Sequence, residues 1–218
     1  MIKKLLSLSI ASAAVVFCSC DAHFDFPDTA MKVGDILCTD GDVLHYDDYE
    51  TSGKEAIGIV FYINNDTSVE GKGYAVYIHD LCPVAFSDTT SVSQKTSADL
   101  NAFDGNANTY AMFENASCGS PLAKEVFALW KYGQSAYIPS VAQYRLLYAQ
   151  KEKINWYLSK CLGDLLSDEA GQCWYWTSTE VSGQSEEKAW LFSMQSSAIQ
   201  ETPKCQKHKA RPIITINY

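Results

Sequence analysis

The hydrophobic period of this chain changes twice, and that order limits the fold more than any single motif does. β-Branched and aromatic runs fill residues 57–63 and 74–79, helical spacing takes over in the middle, and strand chemistry returns at 174–179, 189–194 and 210–216. Strands, then helices, then strands again describe an α+β domain. Residues 33–38 supply a first short strand. The runs at 57–63 and 74–79 are separated by Asn64-Asn65-Asp66 and Gly71-Lys72-Gly73, which tolerate turn geometry, so together they predict a β-hairpin. Residues 87–105 are rich in Ser, Thr, Asn and Asp without apolar periodicity and predict a long surface loop.

The helical middle is marked by its start signals. Ser120-Pro121 combines an N-cap with proline at the first helical position, and Leu122, Val126, Leu129 and Trp130 recur at helical spacing before Gly133. Ser140 with Gln143 makes a capping box, followed by a stripe of Val141, Tyr144, Leu147 and Tyr148. After the charged break Lys151-Glu152-Lys153, Ile154, Leu158, Cys161 and Leu162 continue the pattern.

The N-terminus speaks to location. Lys3 and Lys4 lead into apolar residues 5–17, well short of the roughly 20 that a spanning helix needs, and the run stops at Phe17-Cys18-Ser19-Cys20-Asp21. This resembles the lipobox of bacterial lipoproteins, with Ser19 the small residue before the cut, although Phe17 stands where Leu is commonest and Cys18 where Ala or Ser is. The resemblance implies a signal peptide over 1–19, a lipidated Cys20, an acidic tether over 20–31 and a domain over 32–218. Each buried methylene of the lipid adds roughly 0.8 kcal/mol, so a multiply acylated cysteine anchors permanently. Asp21, Asp25 and Asp28 precede the next basic residue, Lys32, and resemble the surface-export signal of Bacteroidetes-type lipoproteins. The expectation is a lipid-anchored protein facing outward from an outer membrane.

Charge and cysteines bound the chemistry. Without residues 1–19 the chain has 199 residues, and its 15 basic residues face 26 acidic ones. That acidity argues against nucleic acid and against anionic lipid as partners. Cys38, Cys82, Cys118, Cys161, Cys173 and Cys205 are an even set in an exported chain and are candidate disulfide cysteines, with buried free thiols the competing reading. None has CxxC spacing. Asp40-Gly41-Asp42 with Asp47-Asp48 lacks the spacing of an EF-hand loop and reads as a solvated turn, and His23, His45, His79 and His208 form no i, i+4 pair. The chain has no G-x-S-x-G and no Gly-rich phosphate loop, so no metal or other cofactor is expected.

A set of short motifs in order carries a family resemblance: Ala136-Tyr137-Ile138-Pro139-Ser140, Tyr144-Arg145-Leu146-Leu147-Tyr148, Trp174-Tyr175-Trp176-Thr177-Ser178-Thr179-Glu180, Ala189-Trp190 and Arg211-Pro212. This resembles the bacterial C-type-lectin-like domains of unknown function found in surface lipoproteins and at the ends of collagen-like adhesins. It covers about residues 105–216, and the earlier hairpin fits the family's N-terminal half. The resemblance implies twisted antiparallel strands with two or three helices and a non-catalytic role. Trp174, Trp176 and Trp190 are expected in the core, and Glu180 and Arg211 are candidates to pair. The E-P-N, Q-P-D and W-N-D strings of calcium-dependent sugar binders do not occur, which leaves that activity unsupported.

The resulting expectation is a surface lipoprotein that binds an extracellular protein or glycan, with its contacts on irregular loops at 181–187 and 196–207. A retroelement-diversified binder or a pilus-associated adhesin is a close variant. The alternatives are an enzyme of the formylglycine-generating type, using Cys173 and Cys205, and a structural or pilus-accessory lipoprotein without its own ligand. Asp28-Thr29-Ala30 and Asp88-Thr89-Thr90 resemble acceptors of Bacteroidetes-type O-glycosylation, which makes Thr29 and Thr89 candidate sites.

Overall fold

The computed structural model describes residues 29–65, 71–129 and 135–217. The expected signal peptide, Cys20, most of the expected tether, Trp130 and Gly133 lie outside the described residues. All the elements belong to the unit Met31–Tyr218.

Six strands make the main sheet, which is antiparallel throughout. Its members are β1 (Ile36–Cys38), β2 (Val43–Leu44), β3 (Ala56–Ile63), β4 (Gly73–Tyr77), β6 (Ala136–Tyr137) and β11 (Ile213–Ile216), in the order β2-β1-β3-β4-β11-β6. The β3–β4 hairpin forms as its composition predicts, with Ile59 opposite Val76 and Val60 opposite Ala75. Successive residues feed two different cores: Ile36, Ile59, Val76 and Ile213 point into one, and Leu37, Val60, Ala75 and Ile214 into the other. Burial on both faces is why β3 reads as a continuous apolar run and not as an alternating one.

A second antiparallel sheet joins β7 (Trp174–Glu180), β8 (Lys188–Ser193) and β9 (Ile199–Pro203), and β5 (Val84–Ala85) pairs with β10 (Lys207–His208). Tyr175 and Phe192 enter the first core, whereas Trp176, Ala189 and Leu191 enter the second. Trp176 is fully buried, and its indole N–H donates to the Val84 carbonyl at 3.0 Å. Trp174 and Trp190 pack against the cores but stay half-buried.

Five helices are described, more than the two or three expected. Helix α3 (Pro121–Phe127) starts where the cap predicts, with the Ser120 hydroxyl accepting from the Ala123 amide and donating to the Phe86 carbonyl at 2.7 Å. Helix α4 (Val141–Ala149) carries both halves of its capping box. The break before α5 (Lys151–Lys160) falls at Gln150, one residue ahead of the charged triplet, and buried Lys151 opens the helix. Leu162 is not part of the stripe: the chain turns left-handed there (φ 56°), leaving its side chain 88 % exposed.

Helices α1 (Tyr46–Ser52) and α2 (Gly105–Glu114) have no sequence counterpart above. The first buries no residue, and the second buries Gly105, Asn108, Thr109 and Met112, a mostly polar or small set, so neither shows an apolar stripe. Gly105 is required where α2 begins. A Cβ there would stand 2.3 Å from Gln143 Oε1 and 2.6 Å from the Ile138 carbonyl, colliding with the α4 capping box.

Candidate interaction surface

Residues 87–104 run without regular structure, as expected, but they are not a simple surface loop. Ser87 and Gln94 are buried, and the segment is pinned from beneath by Glu180 at the end of β7. Glu180 Oε1 accepts from the Gln94 amide and from Lys204 Nζ, both at 2.7 Å. Oε2 accepts from Ser93 Oγ at 2.9 Å and the Thr96 amide at 3.2 Å. Lys204 completes its three donors on the Val92 carbonyl at 2.9 Å and the Ser185 carbonyl at 2.7 Å. Both side chains are fully buried. A desolvated ion pair survives in such a place when every lone pair and proton is matched, and here it is.

The expected pairing of Glu180 with Arg211 is therefore corrected. Arg211 has other partners: its Nε donates to Asp80 Oδ1 at 2.5 Å and the remaining nitrogens donate to the carbonyls of Tyr77, Ile78 and Asp164. Lys209 Nζ reaches Asp80 Oδ2 at 2.9 Å while standing 4.4 Å above the Tyr175 ring. Tyr144 ties this layer to α4, accepting from the Arg211 amide at 3.0 Å and donating to its carbonyl at 3.1 Å. Burial pushes the Tyr144 phenol far above its usual range. These charges hold chain segments together, and of them Lys209 also reaches a groove on the surface.

The loops expected to contact a ligand are only partly loops. Residues 181–187 form a turn, but Val181 is buried; within 196–207 the chain forms β9 and starts β10, and Lys204 is the buried anchor just described. The polar residues of β9, Gln200, Glu201 and Thr202, hide its strand character, because its pairing with β8 is carried by the backbone.

The six described cysteines are free thiols. Cys38, Cys118, Cys161 and Cys173 are buried; Cys82 and Cys205 are exposed. Burial, helped by the nearby Asp40 carboxylate, pushes the Cys38 thiol up to about 11. Cys173 accepts a long hydrogen bond from Ser193 Oγ at 3.7 Å and does not meet Cys205. Asp40 and Asp42 both close onto Lys54, making the turn a charge-paired one. Thr89 is exposed, with its hydroxyl on Asp88 Oδ1 at 2.9 Å, and Thr29 is exposed as well.

Among the described residues, aromatic side chains reach the surface in two places on the helices. On α2 and α3, Phe113 stacks on Phe127 with centroids 3.9 Å apart, and Tyr110 borders a narrow cleft with Asn106 and Phe127. On α1 and α5, Trp156 is half exposed. Its ring lies 5.5 Å from Tyr46 and 4.7 Å from Tyr157, both in edge-on geometry, and the Lys160 ammonium sits 5.4 Å from the indole. Tyr46 donates to Glu50 Oε1 at 2.7 Å, which pushes its phenol up to about 12. A shallow groove of about 480 Å³ between α5 and the start of β7 is lined by Asn155, Leu165, Ser167, Asp168, Gln172 and Lys209. Among the described residues, no helix is long and apolar enough to cross a membrane.

The fold defines a mixed α+β domain of antiparallel sheets. It is similar to the crystal structure of a fimbrial protein from Bacteroides ovatus ATCC 8483, with a TM-score of 0.67 and 15% sequence identity. The match covers 85% of this chain and 49% of that one, so the chain spans about half the neighbour's length. No family model and no curated protein matches the chain.

Proposed function

We propose that this chain is a non-catalytic recognition module displayed at the bacterial surface, tethered through a lipid on Cys20 and carrying a C-type-lectin-like domain that binds an extracellular protein or glycan. The observation that carries the reading is the fold shared with half of a Bacteroides fimbrial protein, which also favours a pilus-associated setting. The ordered motifs of the C-terminal half and the lipobox-like N-terminus support it. The non-enzymatic part draws on the internal satisfaction of Glu180, Lys204, Asp80 and Arg211, and on the separation of buried Cys173 from exposed Cys205.

The test uses intact cells expressing the full chain, applied to arrays of host-surface proteins and glycans. Cells with the wild-type chain should bind discrete spots, and cells carrying Cys20→Ala, which lose the tether, should not. Uniformly blank arrays with a chain shown to be on the surface would overturn the recognition reading.

A further inference from the structure

The α1–α5 surface inverts the usual distribution of side chains. Helix α1 buries none of its residues, displays Asp47, Asp48 and Glu50 to solvent, and contains no basic residue. Its Tyr46 and Tyr49 lean inward, 6.4 Å apart, and Tyr46 meets both Trp156 and Tyr157. Tyr157 is held in place from below by Gly34 (φ 103°), where a Cβ would fall 2.3 Å from the tyrosine Cε2. The half-exposed indole is thus flanked by two tyrosine rings and has carboxylates on the neighbouring helix.

Such an arrangement has the electrostatics of a cation acceptor. The faces of aromatic rings are negative, and ammonium or guanidinium groups gain roughly 0.5–1 kcal/mol over them at exposed sites. The chain's own Lys160 already samples the indole at 5.4 Å. Glu50, one hydrogen bond from the Tyr46 ring, and the adjacent Asp47 and Asp48 add full negative charges, in a chain whose net charge is −9.

We infer that this surface docks a protein partner through an arginine or lysine side chain, seated on Trp156 and facing the α1 carboxylates. The inference rests on the recognition reading and deepens it by naming the surface and the chemistry. Arginine fits better than lysine, because its planar, weakly hydrated guanidinium stacks on an indole while its N–H groups remain free for carboxylates. Lys160 is then a resident competitor that an incoming guanidinium displaces.

The full chain, labelled with ¹⁵N, is titrated with a tetra-arginine peptide while the Trp156 indole N–H is followed. Saturable shifts are expected at Trp156 and Tyr46. Trp156→Ala should weaken binding roughly threefold or more, and Lys160→Gln should tighten it roughly twofold in the wild-type background but not beside Trp156→Ala. Diffuse shifts with equal affinity in Trp156→Ala would overturn the inference, as would shifts of Trp156 caused only by neutral oligosaccharides. The cell arrays separate the two failures. If Trp156→Ala cells bind every spot that wild type binds, this surface is wrong while recognition stands; if wild-type cells bind nothing, recognition is wrong, and the titration alone decides the surface.

Discussion

The loop over residues 87–104 and the α1–α5 surface use their side chains in opposite ways. The loop looks polar and exposed in sequence, yet its Ser87 and Gln94 are buried and a desolvated Glu180–Lys204 pair holds it from within. The α1–α5 surface has large aromatic rings, the usual material of a core, and turns Trp156 outward among carboxylates. An ordered loop with its charges satisfied internally behaves as framework. A half-exposed ring beside solvent-exposed carboxylates presents surface that a partner can reach.

The largest effect expected from breaking this contrast lies under the loop. Lys204→Met leaves the Glu180 carboxylate buried with only neutral donors, and removing one member of a buried pair costs about 3–5 kcal/mol. The double variant Glu180→Leu/Lys204→Met should recover much of that loss, because no charge is then left unmatched. Urea unfolding monitored by tryptophan fluorescence measures both. A single variant as stable as wild type would show that the pair contributes little to holding the loop.

A smaller effect is expected at the loop's other end. Asn108 on α2 accepts from the Ser97 amide at 2.9 Å and donates to Asp104 Oδ1 at 2.8 Å. Asn108→Ala strands the Ser97 N–H, a penalty of about 1–3 kcal/mol. Hydrogen exchange should show faster exchange at residues 96–104 and little change in β3 and β4. Uniformly faster exchange would mean that the loop and the sheet unfold as one unit.

The same division explains what could be read from the chain in advance. The β3–β4 hairpin, the Ser120 cap and the Ser140–Gln143 box were legible because their signals are local: β-branched runs, a proline after serine, a polar pair three residues apart. Helices α1 and α2 were not, since α1 packs only through Tyr46 and Tyr49, and α2 is secured by Asn108, Thr109 and Met112 rather than by an apolar stripe. Glu180 could be recognised as paired, but its partner is set by the course of β9 and the turn after it. No spacing rule distinguishes Lys204 from Arg211. The aromatic surface was hidden for a related reason, because Tyr46 and Trp156 are far apart in sequence and only the packing of α1 on α5 brings their rings to 5.5 Å.

The smallest expected effect sharpens the contrast from the surface side. Trp156→Ala removes edge-on contacts with Tyr46 and Tyr157, each kind worth about 0.5–1.5 kcal/mol in favourable settings, from a ring that is half in water. A loss of about 1 kcal/mol or less is expected in the same urea titration, with an unchanged slope because little buried area is involved. A loss near that of Lys204→Met would mean that the indole is part of the core's support. It would also remove the physical basis for treating α1 and α5 as a docking surface, since the ring's outward position would then follow from packing demands alone.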